Sequence, residues 1–354
     1  MNKIFRLRAW DSQSDNRKSK SGPADRNRKW LGPVAFAVAF ALCATVAHAQ
    51  QAGKIFRIGY LDPSTASGSA VLVKAFLQEL SKLGWIEGKN FIIEYRFAEH
   101  KIERLPELAA DLVRLKVDLI VVAATPSVLA AKSATTTIPI VMAAVSDPVG
   151  AGLVASLARP GGNVTGLSAL SVELNTKRLE ILKDAVPKLS RVGFLLAPVS
   201  VTGDRQLKEL RPAASALKLK LEEIRTQYDA KGLESAFQTA KQKQVKAIMT
   251  LAAPFFFAER KRIVELAVKY RLPAIYFSKE FVDEGGLMSY GADIDDLYRK
   301  AAHYVDRILK GTKPADLPVQ QAMKFEFIIS LKAAKQIGVT IPPNVLVRAD
   351  KVIR

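Results

Sequence analysis

Cysteine and histidine are nearly absent from this sequence of 354 residues. Cys43 is the single cysteine, and two histidines, His100 and His303, follow residues 1–49, a segment that we expect to be removed. An internal disulfide needs two cysteines, and the two histidines do not have the spacing of a metal-binding pair. Without Cys43, the chain also has no thiol for nucleophilic catalysis. We therefore expect no disulfide, no metal site and no cysteine-based catalysis.

The motifs that mark common enzyme classes are also missing. The sequence contains no G-x-S-x-G, no H-E-x-x-H, no G-x-x-x-x-G-K-[ST] and no G-x-G-x-x-G after a strand. These motifs position nucleophiles, metals or phosphates, so their absence disfavours the enzymes that depend on them. Dispersed Asp and Ser residues are enough for some hydrolases, and a hydrolase stays open as an alternative. We expect a protein that is not an enzyme and needs no cofactor.

Positive charge dominates the sequence, with a net charge of +19. After residue 49 there are 44 Lys and Arg against 31 Asp and Glu, an excess of 13. These cations are interleaved with acids along the helices, and Lys241, Lys243 and Lys246 form the nearest approach to a run. No helix-turn-helix or RNA-binding pattern accompanies them. We interpret the excess as a solvated basic surface and expect no nucleic-acid partner. Attraction to an anionic membrane or to an acidic ligand is the alternative, and the sequence does not localise it.

Residues 1–49 have the organisation of an export signal. Three cations at residues 26–29 precede the apolar run Val34–Val46, and Ala47–Ala49 has the small-x-small pattern of a cleavage site. The apolar run is too short for an ordinary transmembrane helix. A lipoprotein is disfavoured because Leu42, instead of a small residue, precedes Cys43. We predict cleavage after Ala49 and a soluble periplasmic product.

From residue 54 onward, strand patterns alternate with helix patterns. Ile55–Leu61 is predicted as the first strand, and Val117–Ala123, which is apolar except for Asp118, is typical of a parallel strand covered on both faces. Leu72 and Phe76 begin an apolar stripe at helical spacing. The alternation stops at the turn Arg159–Asn163 and then starts again. Two such series predict an α/β fold with two doubly wound, Rossmann-like lobes joined by more than one crossover.

The same stretch of chain resembles a known family. The run SDPVGAGLVASLARPGGNVTGLS (146–168), together with LPAIY, GGLMSYGAD and the C-terminal segment 313–354, is similar to ABC-transporter substrate-binding proteins. The characterised members of this periplasmic group bind tryptophan and other aromatic amino acids. The resemblance covers residues 55–354. The chain departs from the family pattern at Ser330, where an Asn is frequent, and at Ala197–Val199, where Asn-Pro is more usual.

The resemblance implies the type I periplasmic binding protein fold, with two lobes and three crossovers. We expect lobe 1 to comprise residues 54–164 plus 291–318, and lobe 2 to comprise residues 165–290 plus 319–354. We place the crossovers near the following segments: Gly162–Leu167, Tyr290–Asp293 and Lys313–Phe325.

Ligands of open parallel sheets bind beyond the carboxyl ends of the strands. The predicted ends in lobe 1 are Asp62–Thr65, Thr125–Ser127 and Ser146–Pro148; those in lobe 2 are Ala197–Asp204, Ala252–Phe255 and Phe277–Lys279. The helix that follows each strand has unpaired N–H groups at its start, which suit a carboxylate. A ligand amine needs an acid, and Asp62 and Asp147 are the candidates.

Nine residues at or near these strand ends are the predicted ligand contacts: Asp62, Ser64, Thr65, Thr125, Ser127, Asp147, Phe255, Ser278 and Tyr290. Several have an alternative role that the sequence leaves open. Asp147 precedes Pro148 and is either the N-cap of a helix predicted over Val149–Ala158, a ligand contact, or both. Asp62 also suits a turn, Ser127 the first turn of a helix, and Phe255 and Tyr290 the packed core.

Two functions share this fold. The first is a periplasmic receptor, monomeric, that closes on a small ligand and delivers it to an ABC permease in the inner membrane. The resemblance suggests an amino acid or a related carboxylate as the ligand. The second is a ligand-sensing receptor domain coupled to a signalling partner. Both functions require closure of the two lobes around the ligand.

Overall fold

The computed structural model describes residues 54–198 and 201–354. The expected export signal and Val199 lie outside the described residues. The strands are β1 (Phe56–Asp62), β2 (Phe91–Phe97), β3 (Leu119–Val122), β4 (Ile140–Val145), β5 (Val164–Ser168), β6 (Arg191–Leu196), β7 (Lys220–Arg225), β8 (Ala247–Thr250), β9 (Ala274–Tyr276), β10 (Met288–Ala292), β11 (Gln320–Gln321), β12 (Phe325–Ser330) and β13 (Lys351–Ile353). The helices are α1 (Ala66–Lys82), α2 (Leu105–Arg114), α3 (Thr125–Ala134), α4 (Ser171–Ala185), α5 (Val201–Ala216), α6 (Ala230–Gln242), α7 (Pro254–Ala258), α8 (Arg260–Lys269), α9 (Glu280–Asp283), α10 (Ile294–Leu309), α11 (Leu331–Ile337) and α12 (Pro343–Leu346).

The strands form two sheets. The first has the order β11-β5-β4-β3-β1-β2, and its pairs are all parallel. The second has the order β13-β12-β10-β9-β8-β6-β7, with β10 and β12 as its antiparallel pair. Helices follow most strands and cover the sheets. This arrangement confirms the predicted α/β fold with two parallel-dominated sheets.

Apolar strand sequences explain why both faces of the first sheet are covered. All four residues of β3 are buried, and they alternate between two core clusters. Leu119 and Val121 pack in the cluster that includes Leu72 and Phe76 of α1. Ile120 and Val122 pack against α2 and α3. The continuous apolar run therefore serves two helical layers, as parallel sheets require.

The chain changes sheet three times within the described residues. It crosses first after β5, because β5 pairs with β4 whereas α4 packs on β8, β9 and β10. It returns after β10, since α10 packs on α1 and β4, and it crosses again between β11 and β12. The expected boundary at 164/165 falls inside β5, and the expected lobe 2 segment 319–354 includes β11 of the first sheet. We propose instead lobe 1 as residues 54–168 plus 293–322, and lobe 2 as residues 169–292 plus 323–354.

Two predicted helices differ from the structure. The helix predicted over Val149–Ala158 is a series of turns, in which Leu153 N–H donates to the Pro148 carbonyl. Gly150 and Gly152 weaken helix formation there, and Gly152 has a positive φ of 69°. The helix predicted to follow Ala252 is also divided, into α7 and α8, with a break at Glu259.

Ser330 is the N-cap residue of α11. Its hydroxyl accepts a hydrogen bond from the Ala333 N–H at 3.2 Å, which caps the helix. Serine and asparagine are both good N-cap residues. The departure from the family pattern at this position therefore preserves the helix start.

Candidate functional site

A cavity of about 720 Å³, a volume that includes space open to solvent, lies between the carboxyl ends of the two sheets. From lobe 1 it is lined by the ends of β1, β3 and β4 and by α1 and α10. From lobe 2 it is lined by α4, α7 and the ends of β8 and β9. Residues of the first two crossovers, Ala169 and Ala292, complete the wall. Both lobes therefore contribute to one site.

Arg178 of α4 is a buried cation in this wall, with 2% of its surface exposed. Its Nε donates to the Tyr290 carbonyl at 2.6 Å, and its Nη1 donates to Asn175 Oδ1 at 2.6 Å. Asn175 is held in turn by a hydrogen bond from its Nδ2 to Gln206 Oε1. Burial lowers the pKa of Arg178 to about 9, so the guanidinium is still charged at neutral pH.

No carboxylate in residues 54–198 and 201–354 forms an ion pair with Arg178. Its two hydrogen-bonded partners are both neutral oxygens. Transferring a charge from water into a protein interior is costly unless an opposite charge compensates it. A buried guanidinium that lines a cavity and lacks a carboxylate partner is therefore arranged for an anionic ligand.

Asp62, at the end of β1, is the buried carboxylate of the opposite wall, with 1% of its surface exposed. Its Oδ1 accepts from the Ser64 N–H at 2.7 Å. Its Oδ2 accepts from Ser69 Oγ at 2.7 Å and from the Tyr60 hydroxyl at 3.0 Å. Burial raises the pKa of Asp62, whereas these three hydrogen bonds lower it, and burial is the larger effect. A cation brought into the cavity would favour the ionised form.

The cavity thus has a positive group on its lobe 2 wall and a carboxylate on its lobe 1 wall. Leu72, Phe257 and Phe277 line the same cavity and supply apolar surface. A ligand with a carboxylate, an ammonium group and an apolar side chain matches all three features. Because the two charges belong to different lobes, such a ligand would also connect the lobes.

The predicted site residues have different positions relative to the cavity. Asp62 and Thr125 line it. Ser64 is buried beside Asp62, and its backbone N–H binds the carboxylate. Thr65 is the N-cap of α1, where its Oγ1 accepts from the Gly68 N–H at 3.1 Å. These two residues position the end of β1 and do not line the cavity.

Four other residues that were predicted as ligand contacts do not line this cavity. Ser127 and Ser278 are buried, and they line neither this cavity nor a second one that adjoins it. Tyr290 does not line the cavity, but its carbonyl anchors Arg178. Its ring packs edge-on against Phe327, as the core alternative predicts. Phe255 lines a neighbouring cavity.

Asp147 connects the two lobes outside the cavity. Its Oδ1 accepts from the Gly150 N–H at 2.9 Å, so it caps a turn in place of the predicted helix. Its Oδ2 lies 2.7 Å from Nη2 of Arg205, which belongs to α5 of lobe 2. The guanidinium covers Gly150 so closely that a Cβ atom there would lie 1.8 Å from it. Asp147 is absent from the cavity lining, and we treat the Asp147–Arg205 pair as a clasp between the lobes.

A second cavity of about 550 Å³ adjoins the first and shares part of its wall. Thr125 and Ala253 line both spaces. The second wall is largely apolar and contains three rings. His100 of lobe 1 packs edge-on against Phe255 of lobe 2 at 5.0 Å and stacks over Tyr228 at 6.4 Å. These rings form another contact between the lobes.

Strand-end reasoning did not find Arg178, because the residue lies in the middle of a helix. A signal was nevertheless present in the sequence. Leu174, Leu182 and Arg178 recur at four-residue spacing, so the arginine falls within the apolar stripe of α4. A charged residue in such a stripe marks a buried charge, which needs a partner. Ser69, Phe257 and other wall residues carried no comparable signal.

Two other kinds of feature, a metal site and a membrane-spanning helix, are absent from the described residues. Across residues 54–198 and 201–354, no three His, Cys, Asp or Glu side chains are grouped so that they could hold a metal ion. In the same ranges, no helix combines the length and apolarity needed to cross a membrane.

Comparison of the sequence with known families identifies its relatives. The family profile described as "ABC transporter substrate binding protein" matches residues 66–353. A protein from Clostridioides difficile, described as a tyrosine-binding protein, is 32% identical over 263 residues, which is 73% of each chain. Neither the family nor this relative is described as an enzyme, in agreement with the sequence-based expectation. The match confirms the resemblance drawn from residues 146–168.

Solved structures with the same fold include two close matches. A conserved domain protein from Vibrio cholerae has a TM-score of 0.77 and 31% identity, over 84% of this chain and 100% of that one. A domain from Streptococcus pneumoniae in complex with L-Trp has a TM-score of 0.73 and 28% identity, with the same coverage. These similarities extend across both lobes.

Proposed function

The chain belongs to the family of ABC transporter substrate-binding proteins, and from this premise we propose that it is the solute-binding component of an ABC importer. In this proposal the protein binds an α-amino acid as a zwitterion and delivers it to a permease in the inner membrane. Arg178 receives the ligand carboxylate, and Asp62 receives the ammonium group.

The buried guanidinium of Arg178 is the observation that carries this proposal. It lines the cavity, has 2% of its surface exposed and hydrogen-bonds to neutral oxygens. A ligand carboxylate supplies the missing negative charge and allows a charge-assisted hydrogen bond. A sugar or another neutral solute would leave the cation uncompensated.

We infer an aromatic side chain for the ligand. Phe257, Phe277 and Leu72 provide the apolar part of the wall, and an aromatic side chain is suited to pack against such a surface. Two similar proteins are described as binding tyrosine and L-Trp. The wall of this chain and the ligands of its relatives therefore support the same class.

Binding would favour the arrangement in which the lobes touch. The ligand bridges Arg178 of lobe 2 and Asp62 of lobe 1, so its full set of contacts exists only when the lobes are closed. The clasp and the rings around His100 add contacts that do not involve the ligand. A hinge motion of this kind is common among two-lobed receptors.

The proposal includes an exported, monomeric protein. Export is expected through removal of residues 1–49, with Gln50 as the new N-terminus. Intact mass of the periplasmic protein and light scattering during gel filtration test these two statements. A retained Cys43 carrying an acyl chain, or a stable dimer, would contradict them.

A ligand screen tests the proposed class. Thermal unfolding is measured with each L-amino acid and with sugars and small dicarboxylates. We expect L-Trp or L-Tyr to raise the unfolding temperature, since a ligand at 100 times its Kd adds about 2.7 kcal/mol to stability. A response to sugars alone would contradict the proposal.

Delivery is tested separately by uptake of the best ligand into cells with and without this protein. Loss of uptake is expected for an importer. Tight binding with unchanged uptake would instead favour the ligand-sensing alternative.

A further inference from the structure

The N-terminal edge of the lobe 2 sheet is rich in lysine and arginine. Strands β9, β8, β6 and β7 are neighbours in that order and run parallel, so their first residues lie along one edge. Nine cations lie in or beside the loops that lead into these strands, and we call them the basic edge: Lys188, Arg191, Lys218, Lys220, Lys241, Lys243, Lys246, Lys269 and Arg271.

Few carboxylates compensate this charge. Glu222 lies 2.9 Å from Lys220 and also pairs with two other members of the edge. Glu234 lies 2.7 Å from Lys269. Five members are exposed and form no ion pair within the described part of the chain: Lys188, Lys218, Lys241, Lys246 and Arg271. The edge therefore presents uncompensated positive charge to solvent.

Part of the basic edge surrounds an open groove of about 1190 Å³. Lys241, Lys246, Lys269 and Arg271 line it, and Tyr270 is a half-buried aromatic residue in its wall. The groove lies where the C-terminal ends of α6 and α8 meet the starts of β8 and β9. Several cations thus converge on one accessible surface.

Helix stabilisation accounts for only part of this pattern. Cations in the last turn of a helix interact favourably with the negative end of its dipole, which applies to Lys241 and Lys269. Arg191, Lys220 and Lys246 come after the helices, at or immediately before the first strand residues. The loop into β4 in lobe 1, Thr135–Pro139, contains no cation at all. The loops into β1, β2 and β3 of lobe 1 do carry cations, among them Arg57, Lys89 and Lys116, so the lobe 2 edge differs in that several of its cations converge on one groove.

We propose that the basic edge binds the surface of an anionic phospholipid bilayer. The four strands are about 4.8 Å apart, so the row of loops spans about 14 Å and is suited to several lipid phosphates at once. Clusters of four to eight lysines and arginines are typical of proteins that bind anionic bilayers. Nucleic acid is disfavoured, because the half-buried Tyr270 is the one aromatic residue of the groove and proteins that bind single strands stack bases on exposed aromatic rings.

Bilayer binding would be independent of ligand binding. The ligand cavity lies at the carboxyl ends of these strands, whereas the basic edge lies at their other ends. A protein held by the basic edge therefore keeps its ligand cavity at the ends of the lobe 2 strands that lie farther from the bilayer. This inference does not rest on the proposed ligand, so either one can fail without the other.

Vesicle co-sedimentation of the whole exported chain tests the proposal. The vesicles contain phosphatidylcholine either alone or with 30 mol% phosphatidylglycerol, at about 0.1 M salt, where charges are screened over about 10 Å. We expect binding to the anionic vesicles only, and release as salt is raised. Inorganic phosphate and chloride are compared at equal ionic strength, and equal release by both is expected for a surface that binds the bilayer and not free phosphate.

Two triple variants locate the binding surface. The test variant is Lys241→Gln, Lys246→Gln, Arg271→Gln, and the control is Lys74→Gln, Lys89→Gln, Lys313→Gln in lobe 1. All six cations are exposed and form no ion pair within the described residues, so both variants lose the same charge. We expect the test variant to lose affinity by about fivefold per cation, or roughly 100-fold in all, and the control to change by less than threefold.

Three results would overturn the proposal. One is the absence of binding to anionic vesicles, and another is an equal loss in both triple variants, which would indicate net charge alone. The third is retention on a nucleic acid or another polyanion without vesicle binding. Thermal unfolding and amino-acid titration of each variant show that it is folded and that its ligand site is intact.

Discussion

Arg178 has an unusual environment for a charged side chain. It is nearly as buried as the apolar residues around it, and its hydrogen-bond acceptors are a backbone carbonyl and the Asn175 amide oxygen. In the ligand-free protein this arrangement is costly, because no carboxylate offsets the desolvation of the guanidinium. In the proposed function a ligand carboxylate offsets this desolvation, and that gain contributes to the free energy of binding.

Replacing Arg178 by Met should therefore separate binding from stability. We expect amino-acid affinity to fall by about 2–5 kcal/mol, the usual loss when one partner of a buried charge pair is removed. The unfolding temperature without ligand should fall much less, since the variant no longer buries a charge. Calorimetry and thermal unfolding measure the two quantities, and Arg178→Lys is the charge-preserving control. Unchanged affinity in the Met variant would contradict the assigned role.

Unlike Arg178, Asp147 is only half-buried, and its carboxylate already forms an ion pair with Arg205. We expect Asp147→Asn to keep the cap on Gly150 and to lose only the bond to Arg205. Partly exposed pairs of this kind contribute about 0.2–1 kcal/mol, so affinity should fall less than about fivefold. Arg205→Gln should have the same effect, and the double variant should be no worse than either single one. Calorimetry that shows a loss above 2 kcal/mol for Asp147→Asn would instead make Asp147 a ligand contact.

Sequence reasoning located one of the two buried charges of the cavity. Asp62 follows a strand, and the position of strand ends in parallel sheets is a general rule. Arg178 depends on which helix face meets the cavity, and that is decided by the crossover before α4. The pairing of Asp147 with Arg205 depends on how closely two separate lobes approach, which local sequence does not encode.

At the scale of elements, α1 of lobe 1 and α7 of lobe 2 approach each other at a glycine. A Cβ atom added at Gly68 would lie 2.6 Å from Cβ of Ala258. Such distances are too short for carbon atoms, so a larger residue must separate the helices or displace its neighbours. The glycine thus permits the contact between lobes on this side of the cleft.

Gly68→Ala is expected to hinder the close approach of the two lobes. Ligand affinity should fall by about tenfold or more, consistent with a cost of about 1–3 kcal/mol for overpacking. Ala258→Gly removes the opposing carbon atom, so the double variant should recover part of the affinity, whereas Ser64 Oγ at 2.9 Å and Thr65 Oγ1 at 3.0 Å remain close to the added Cβ. Calorimetry on the two single variants and the double variant is the measurement. Failure of Ala258→Gly to restore binding would indicate a local effect on α1 rather than on closure.

The ring contacts between His100 and lobe 2 make closure sensitive to pH. Burial lowers the pKa of His100 below its ordinary value of 6.5, and the weaker effect of Glu99 opposes it. Above pH 6.5 the ring is neutral whether the lobes are open or closed. As the pH falls through 6.5, the open form takes up a proton that the closed form must release. Affinity should therefore decline toward acid and level off below the lowered pKa.

Calorimetry at pH 7.5 and 5.5 measures this decline, and His100→Phe provides the comparison. The phenylalanine keeps a ring against Phe255 but cannot take up a proton. We expect a smaller decline in this variant, with the remainder due to protonation of Asp62, whose pKa is raised by burial. An identical decline in both proteins would remove His100 from the explanation.

Strong periodicity predicted most elements well. The apolar run at β3 and the stripe of α1 need only local sequence, and both are present. The segment Val149–Ala158 does not form the helix that was predicted from its small residues. Its backbone N–H groups donate to the carbonyls of Pro148 and Pro160, and these hydrogen bonds replace helical ones. The short strand β11 was also missed, since its two exposed glutamines join the sheet only through tertiary position.

For the whole molecule, three crossings of the chain connect the two lobes. Backbone hydrogen bonds join the crossing segments to one another, as from the Ala322 N–H to the Ser168 carbonyl and from the Asp293 N–H to the Lys324 carbonyl. In the proposed function, the ligand, the clasp and the His100 rings together favour the closed arrangement. The order of strands and helices along the chain predicted this two-lobed architecture. The surfaces through which the lobes contact each other could be identified only from the three-dimensional structure.

Calorimetric titration with L-tryptophan and two of its analogues tests the central claim most directly. Tryptamine lacks the carboxylate, and indole-3-propionate lacks the ammonium group, while both keep the indole ring. If Arg178 and Asp62 hold the two ends of a zwitterion, L-tryptophan should bind at least about 30-fold more tightly than either analogue, since each loss leaves a buried charge unpaired at a cost of about 2–5 kcal/mol. Tryptamine binding within threefold of L-tryptophan would contradict the account.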